Sequence, residues 1–311
     1  MFRGLHTLVT YISVVLAVAF FTLLERKVLS YIQIRKGPNK VSFIGLLQPL
    51  ADAGKLLIKE GLEPTAANFF LYLAAPILSF ILALLIWNIY PYATVVMWLK
   101  WGILYFLCVS SLNVYGTLLA GWSSNSKYRL LGALRGIAQT ISYEIRLALI
   151  LLFFLILGAS FDFFSINESQ EIIFLILLMP VLSYIWLATC VAEVNRAPFD
   201  FAEGESELVS GFNTEYRGGS FALIFLAEYA SILVIRIVSS ILILGGLAIL
   251  GLSSNLILTI KLIAIAYLFL WLRASYPRYR YDLLIALAWK GFLPFSLCLL
   301  WGVFGIYYFI S

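Results

Sequence analysis

Eight long runs of mostly apolar residues constrain this chain more than any other feature of its sequence. Each run is long enough to cross a lipid bilayer as a helix, which takes about 20 residues. The runs cover Gly4–Leu24, Phe69–Tyr90, Trp98–Trp122, Gly136–Ala159, Ile172–Ala192, Ser220–Gly246, Leu252–Leu272 and Leu283–Phe309. We therefore predict an all-α membrane protein with eight transmembrane helices, which form a single transmembrane domain over residues 1–311.

Composition agrees with this fold class and leaves no room for a separate soluble domain. The chain is 63% hydrophobic and only 12% charged, whereas a soluble domain is about 25% charged. Its net charge of +5 is modest, so we expect no nucleic-acid partner. We find no internal repeat, which argues against an inverted-repeat transporter.

The basic residues indicate how the helices are oriented. Most of the 21 Lys and Arg residues lie in four loops or at their edges, at about residues 25–68, 123–135, 193–219 and 273–282. Short loops rich in Lys and Arg face the cytoplasm or the mitochondrial matrix. We therefore predict these loops on the inner side and both termini on the opposite, intermembrane-space side.

The first inner loop contains a segment with helical periodicity. After the turn signal Gly37-Pro38-Asn39, Gln48, Asp52, Lys55 and Lys59 recur at helical spacing, with apolar residues on the remaining face. Such a segment lies in the plane of the membrane interface. We predict an amphipathic interfacial helix here, either as a simple anchor or as the lip of a lateral opening to the lipid.

Acidic residues are concentrated in one inner loop and the helix that follows it. Seven of the sixteen acidic residues lie between Glu193 and Glu228. The same loop keeps Phe199, Phe201 and Phe212, so we expect it to fold back into the protein. A hydrated acidic loop is the alternative, because charge runs usually face water.

Glu144, Glu193 and Glu228 lie at membrane depth on three consecutive predicted helices. Ionisable residues inside a membrane indicate a functional site by default. Neighbouring buried carboxyl groups share protons and titrate as a set, which suits a proton relay. The alternative is structural, with each glutamate paired to a buried arginine such as Arg146 or Arg236. On an ideal helix Glu144 and Arg146 point in nearly opposite directions, so each needs a partner elsewhere.

A basic and aromatic set on the inner side opposes these acids. It includes Glu25-Arg26-Lys27, Arg35-Lys36, Arg196 and the run from Arg273 to Asp282. Arginine and tyrosine at this depth often anchor lipid headgroups, and they could also line a cavity for an amphipathic ligand. The three cysteines, Cys108, Cys190 and Cys298, are far apart, and His6 is the single histidine. We therefore predict no metal site, no iron–sulfur cluster and no haem.

Five collinear segments resemble the chain 1 family of the proton-pumping NADH:quinone oxidoreductases, respiratory complex I. The segments are Leu23–Lys40, Gly121–Glu144, Ala192–Tyr216, Phe225–Ile232 and Tyr276–Asp282. The resemblance covers essentially the whole chain, and eight spans is the number typical of the family. Val194 and Ala197 stand where the family often has Thr, a difference that should matter little because neither position titrates.

The resemblance implies a multi-pass subunit of the mitochondrial inner membrane, at the heel of the membrane arm. It would form the floor and lipid-side entrance of the ubiquinone tunnel and couple quinone reduction to proton translocation. Ubiquinone is then the substrate, while FMN and the iron–sulfur clusters belong to partner subunits and this chain holds no redox centre. The implied partners are other complex I subunits, ubiquinone and a phospholipid such as cardiolipin.

The resemblance also assigns roles to individual residues. The implied proton relay consists of Tyr143, Glu144, Glu193, Asp200, Glu203, Glu205, Glu207, Glu228 and Tyr229. The implied tunnel and entrance residues are Arg26, Arg35, Asp52, Ala53, Lys55, Arg196, Phe225, Arg273 and Arg278. Three alternatives remain open: a homologous subunit of a membrane-bound hydrogenase, a stand-alone ion or solute transporter, and a purely structural membrane anchor.

Overall fold

The fold is a bundle of apolar helices. The structure is a computed structural model that describes residues 2–61, 64–65, 67–90, 99–170, 174–202, 204, 211–249 and 252–310. Its helices are α1 (Phe2–Ile32), α2 (Gln48–Ile58), α3 (Phe69–Ile86), α4 (Gly102–Ser123), α5 (Lys127–Gly158), α6 (Phe163–Ser169), α7 (Leu175–Leu178), α8 (Pro180–Glu193), α9 (Gly219–Leu244), α10 (Asn255–Ser275), α11 (Tyr281–Ala286) and α12 (Leu293–Ile310). A π-helical segment, Leu287–Phe292, joins α11 to α12. Residues 248–249 and 252–253 form a short antiparallel pair.

Seven helical segments in the described part of the chain are long and apolar enough to cross a membrane. They match all the predicted spans except the fifth, Ile172–Ala192. In its place the structure has the single turn α7 and the 14-residue helix α8. Pro180 lacks a backbone N–H and therefore begins a helix more readily than it continues one. The count of eight spans remains a prediction, and residues 171–173 lie outside the described residues.

Two helices extend further into the predicted inner loops than hydropathy indicated. Helix α1 continues through the charged residues Glu25, Arg26 and Lys27 to Ile32, and α5 already begins at Lys127. Charged residues are good helix formers, so a loss of hydropathy marks the edge of the apolar region and not the end of a helix. The inner ends of α1 and α5 therefore carry ionisable side chains on rigid backbone.

The segment predicted to be an amphipathic helix forms α2, with Pro49 in its first turn. Leu50, Leu57 and Ile58 are exposed on its surface. Exposed apolar side chains of this kind suit the boundary between headgroups and acyl chains. Its position in the plane of a membrane stays a prediction.

Helices α5 and α9 form the centre of the bundle. Leu147, Ile150 and Leu151 of α5 are almost completely buried, as are Val238 and Leu242 of α9. Between these two helices lies Trp186 of α8, whose indole Nε1 donates a hydrogen bond of 3.0 Å to the hydroxyl of Ser239 on α9. The C-terminal end of α8, and with it Glu193, is therefore held between α5 and α9.

Gly121 lets α4 and α5 approach closely. A Cβ at this position would collide with the Cβ of Ala133 and lie 3.2 Å from the carbonyl oxygen of Arg129. We expect Gly121→Ala to lower the melting temperature of the assembled protein, because overpacking costs about 1–3 kcal/mol. Gly302→Ala is the matched control, since a Cβ there meets no atom within 4 Å. An equal effect of both substitutions on thermal unfolding would contradict this prediction.

Candidate functional site

Glu25 joins three helices at the inner end of the bundle. Its carboxylate accepts a hydrogen bond of 2.6 Å from the Tyr229 hydroxyl on α9 and pairs with Arg273 on α10. Glu25 itself is only 5% exposed. A buried carboxylate that is both paired and hydrogen-bonded can stay charged in an apolar bundle. Tyr229 and Arg273, both predicted site residues, are therefore brought together by Glu25, which our sequence interpretation had not assigned to the site.

Arg196 and Glu228 form a second charged pair next to Glu25. The shortest distance between the guanidinium and the carboxylate is 3.8 Å, which is longer than a charge-assisted hydrogen bond. The Arg196 guanidinium also lies over the Tyr229 ring, 4.5 Å from its centroid. Phe225, a predicted site residue one turn earlier on α9, stacks on Tyr229 at 6.3 Å between ring centroids. Tyr229 thus contacts both charged pairs.

Glu193 and Glu228 line a common cavity of about 70 Å3 between α3, α4, α8 and α9. Asn113, Ser79 and Ser231 contribute polar groups to its wall. Such a cavity is polar and large enough for ordered water, since one water needs about 10–15 Å3 of this kind of volume. Water in this cavity would lie beside both glutamates.

Glu193 lies near both an acidic and a basic residue of α5. Its Oε2 is buried and has no hydrogen-bond partner among the described residues. Glu144 and Arg146 of α5 lie close enough to interact electrostatically with it, and Ser110 of α4 lies close to Glu144. Glu228 has an arginine partner in Arg196, as the structural alternative expects, whereas Glu193 has only the electrostatic interaction with Arg146 among the described residues.

Arg146 is held mainly by its own helix. Its guanidinium carbon lies 3.5 Å from the centroid of the Tyr143 ring, and its Nε donates to the carbonyl oxygen of Ser142 at 3.1 Å. Both Tyr143 and Arg146 are almost fully buried. The predicted relay residue Tyr143 therefore lies beside Arg146, and Glu144 points to α4 as expected for opposite faces of one helix.

The first half of the acidic loop is folded back into the protein, as predicted. Gln139 of α5 donates two hydrogen bonds of 2.8 Å, to the carbonyl oxygens of Ala192 and Phe199. The backbone N–H of Tyr279 donates to the carbonyl oxygen of Pro198 at 3.0 Å. Phe201 is fully buried. These contacts place the loop between α5 and the segment that connects α10 to α11.

Arg278 lies against this loop. Its guanidinium is 5.2 Å from the centroid of the Phe201 ring, and a Cβ on Gly204 would lie 3.0 Å from Nη2. Asp200 is half-buried in the same stretch. The other predicted loop acids, Glu203, Glu205 and Glu207, lie outside the described residues.

The second half of the loop is anchored on α3 and α5. The rings of Tyr72 and Tyr216 stack with their centroids 4.3 Å apart, and the buried Arg129 pairs with Glu215 at 2.9 Å. Burial raises the pKa of Tyr216 to about 12. Its hydroxyl therefore stays protonated at any physiological pH and donates to the carbonyl oxygen of Tyr72 at 3.2 Å.

The predicted entrance residues divide into two groups. Arg26 of α1 pairs with Asp52 of α2 at 2.6 Å, and Ala53 and Lys55 are exposed on the same short helix. Arg35 is exposed beyond the end of α1, where its Nε donates to the Gln33 side chain. The structure therefore pairs Arg26 with Asp52, whereas the Arg35 side chain bonds to Gln33 within its own segment.

Two charged residues of the inner bundle, Glu25 and Arg236, were not among the predicted site residues. Glu25, Arg196, Arg236 and Arg273 line one cavity of about 30 Å3. Glu25 and Arg236 each follow or interrupt an apolar run, and that isolation was the signal in the sequence. Within the described residues, no group of three or more His, Cys, Asp or Glu side chains is arranged to hold a metal ion.

Fold and site together define a polytopic helical membrane protein with ionisable groups held between its helices. The sequence model of the family described as NADH dehydrogenase matches residues 5–304. Curated relatives named NADH-ubiquinone oxidoreductase chain 1 include those of Aedes aegypti (52% identical; 98% of this chain, 96% of the relative) and Thymallus arcticus (53% identical; 96% and 93%). That of Branchiostoma lanceolatum is 50% identical over 95% of this chain and 93% of the relative. The chain therefore belongs to the family of NADH-ubiquinone oxidoreductase chain 1.

Proposed function

We propose that this chain is a core membrane subunit of proton-translocating NADH:ubiquinone oxidoreductase in the mitochondrial inner membrane. It would form the wall and lipid-side entrance of the ubiquinone tunnel and link quinone reduction to proton movement. Full-length similarity to relatives that bear this name supports the proposal. Its partners would be other complex I subunits, ubiquinone and a phospholipid such as cardiolipin, with FMN and the iron–sulfur clusters held by the partner subunits.

The cavity shared by Glu193 and Glu228 is the observation that carries the proton-coupling role. Glu228 takes part in that cavity and also in the loose pair with Arg196. Arg196 in turn contacts Tyr229, which hydrogen-bonds Glu25. A continuous set of titratable and charged groups thus runs from α1 and α10 to α8 and α5, with room for water beside it.

The chemistry follows from charge balance. Reduction of a quinone to a quinol consumes two electrons and two protons. If quinone reduction takes protons from the region of Glu25, Tyr229 and Arg273, the charge near Arg196 changes. That change would strengthen or weaken the ion pair between Arg196 and Glu228. Coupled carboxyl groups redistribute protons as a set, so Glu228, Glu193 and Glu144 would pass the change toward α5. Asp200 and the other loop acids would connect this set to the quinone cavity.

The tunnel entrance is proposed between α1 and α2, where Arg26 and Asp52 hold the two helices together. Asp52 also accepts a hydrogen bond of 2.8 Å from Gln48 on its own helix. Arg26, Asp52, Ala53 and Lys55 would line the entrance. Arg196, Phe225 and Arg273 would line the tunnel above it, with Arg278 beside the acidic loop.

We expect Asp52→Asn to raise the KM for ubiquinone about two- to fivefold and to leave kcat nearly unchanged. The Arg26–Asp52 pair is partly exposed, and such pairs contribute at most about 1 kcal/mol, which limits the effect. A change in KM alone indicates altered binding and not altered chemistry. Glu60→Gln, an exposed acid just after α2, is the matched control. A fall in kcat with unchanged KM would argue against an entrance role for Asp52.

The most direct test of the proposed function is the position of a quinone or quinone-site inhibitor bound in the assembled complex. We expect its headgroup near Arg196 and Asp200 and its tail near Arg26. A headgroup bound far from all three would contradict the tunnel assignment. Co-purification of nickel–iron subunits, in place of flavin and NADH oxidation, would contradict the assignment to NADH:ubiquinone oxidoreductase.

A further inference from the structure

Asn113 is a polar residue in the middle of an apolar helix. It lies on α4, 11 residues from the first residue and 10 from the last, or about 16 Å and 15 Å along the helix. Its side chain is half-buried and makes no hydrogen bond with any residue in the part of the chain that the structure describes. A polar side chain at this depth normally bonds to another helix or faces a polar cavity.

The side chain of Asn113 is on the face of α4 that borders the cavity shared by Glu193 and Glu228. Four residues of α4 at helical spacing line this cavity, and they are Asn113, Gly116, Thr117 and Ala120. Residues three and four apart lie on one face of a helix. The polar atoms of the Asn113 amide are not sealed inside the protein, so they are accessible from the cavity.

The hydroxyl groups on the same wall are already used. Each donates a hydrogen bond of 2.7–2.9 Å to a backbone carbonyl oxygen of its own helix, as the hydroxyls of Ser79, Thr117 and Ser231 do. The Asn113 amide makes no such bond. Its two donors and its acceptor oxygen therefore remain for a molecule inside the cavity.

Asn113 also lies next to the third glutamate of the proposed relay. Glu144 of α5 does not line the shared cavity, but it lies close to Ser110 of α4. Ser110 precedes Asn113 by three residues, and side chains at this spacing are neighbours, with about 5–6 Å between their Cβ atoms. Asn113 is therefore between the cavity on one side and Ser110 with Glu144 on the other.

We propose that Asn113 is a positioning residue, which holds a water molecule between the shared cavity and Glu144. This inference rests on the proposed proton-coupling function. An amide donates two hydrogen bonds and accepts two, so it can orient a water without taking up a proton itself. That water would accept one proton from the cavity side and release another to the Glu144 carboxylate, and no bond of Asn113 would change. The cavity of about 70 Å3 has room for it, because one water needs about 10–15 Å3.

A map of the assembled complex that resolves ordered water is the first test. We expect a water within about 3.2 Å of the Asn113 amide in the wild type and its loss in Asn113→Leu. Leu has the same branching and the same number of heavy atoms as Asn, but it cannot hydrogen-bond. The absence of ordered water at this amide in the wild type would overturn the proposal, and this result does not depend on the assembly of any variant.

Quinone reduction and acidification by the complex reconstituted in vesicles are the second test. We expect Asn113→Leu to lower both rates about three- to tenfold, the factor that one lost hydrogen bond gives, with the KM for ubiquinone unchanged. Asn113→Ser keeps a polar group and space for water, so it should recover most of the rate. Asn255→Leu is the matched control, because Asn255 is exposed at the start of α10 and does not line the cavity. Equal losses in Asn113→Leu and Asn255→Leu would contradict the proposed role.

A double variant separates the link to Glu144 from a general structural defect. If Asn113 acts through Glu144, Asn113→Leu should lower the rate little further in a complex that already carries Glu144→Gln, whereas independent defects multiply. Full coupling in both Glu193→Gln and Glu228→Gln would defeat the relay, and this inference with it. A loss of coupling in those two variants together with full coupling in Asn113→Leu would defeat the role of Asn113 alone.

Discussion

Glu228→Gln is expected to reduce NADH:ubiquinone activity and the coupled proton movement by at least about tenfold while the complex still assembles. Gln has nearly the shape of Glu and cannot titrate. A positioned group that takes up and releases protons contributes about 10²–10⁴-fold to a rate. We expect the loss of rate in Glu228→Gln to lie at the lower end of that range or below it, because Glu193 lines the same cavity and can share the protons.

Glu193→Gln should give a similar phenotype, for a different structural reason. The Glu228 side chain is 25% exposed and interacts with Arg196, whereas Glu193 Oε2 has no hydrogen-bond partner among the described residues. Glu193→Gln therefore breaks no hydrogen bond at Oε2, and it should affect stability less than substitution of Glu228, which loses its charge pair with Arg196. A loss of coupling with normal thermal stability in Glu193→Gln would separate a relay role from a structural one.

The measurements are quinone reduction and acidification by the complex reconstituted in vesicles. Glu168→Gln is the matched control, because Glu168 is an exposed carboxylate on α6 that does not line the shared cavity. Full rates and full proton movement in both Glu193→Gln and Glu228→Gln would remove the relay from the proposed function. The membership of the chain in its family would not be affected by that result.

Glu25→Gln is expected to have the largest effect on stability of any single substitution in the site. It removes the counterion of Arg273 and weakens the acceptor for the Tyr229 hydroxyl. Removal of one partner from a buried pair typically costs about 3–5 kcal/mol. We expect about 3 kcal/mol, because the Arg273 side chain is 33% exposed and water can partly replace the lost carboxylate.

Thermal unfolding of the assembled complex measures this effect, and a double variant identifies its cause. Glu25→Gln with Arg273→Gln should recover part of the lost stability, because it no longer leaves an unpaired charge between helices. Asp282→Asn is the control, since Asp282 and Arg280 form a pair in which both side chains are mostly exposed, and such pairs contribute little. If the double variant were less stable than Glu25→Gln alone, the charge-pair explanation would be wrong.

The predicted site residues that the structure brings together are those with strong local signals. Glu193 and Glu228 end or interrupt apolar runs, and they line the same cavity in the structure. Arg26 and Asp52 belong to a charged helix end and a periodic helix, and they form an ion pair. Arg35 had the same kind of signal, but its side chain hydrogen-bonds Gln33 beyond the end of α1 at Ile32.

The sequence by itself determined that the chain is a bundle of apolar helices and which family it belongs to. Hydropathy acts locally: a run of apolar residues needs no knowledge of its neighbours to favour a helix in lipid. The same locality explains the misjudged ends of α1 and α5, where polar residues continue a helix beyond the apolar region.

Only the tertiary structure decided which charges meet. Glu25 lies 204 residues from Tyr229 and 248 from Arg273 in the chain, and no periodicity connects positions so far apart. Pairing of buried charges depends on distances of a few ångströms between helices, and these are set by side-chain packing such as that of Gly121 against Ala133. For the same reason the cavity that Glu25 shares with Arg236 became visible only in the folded bundle.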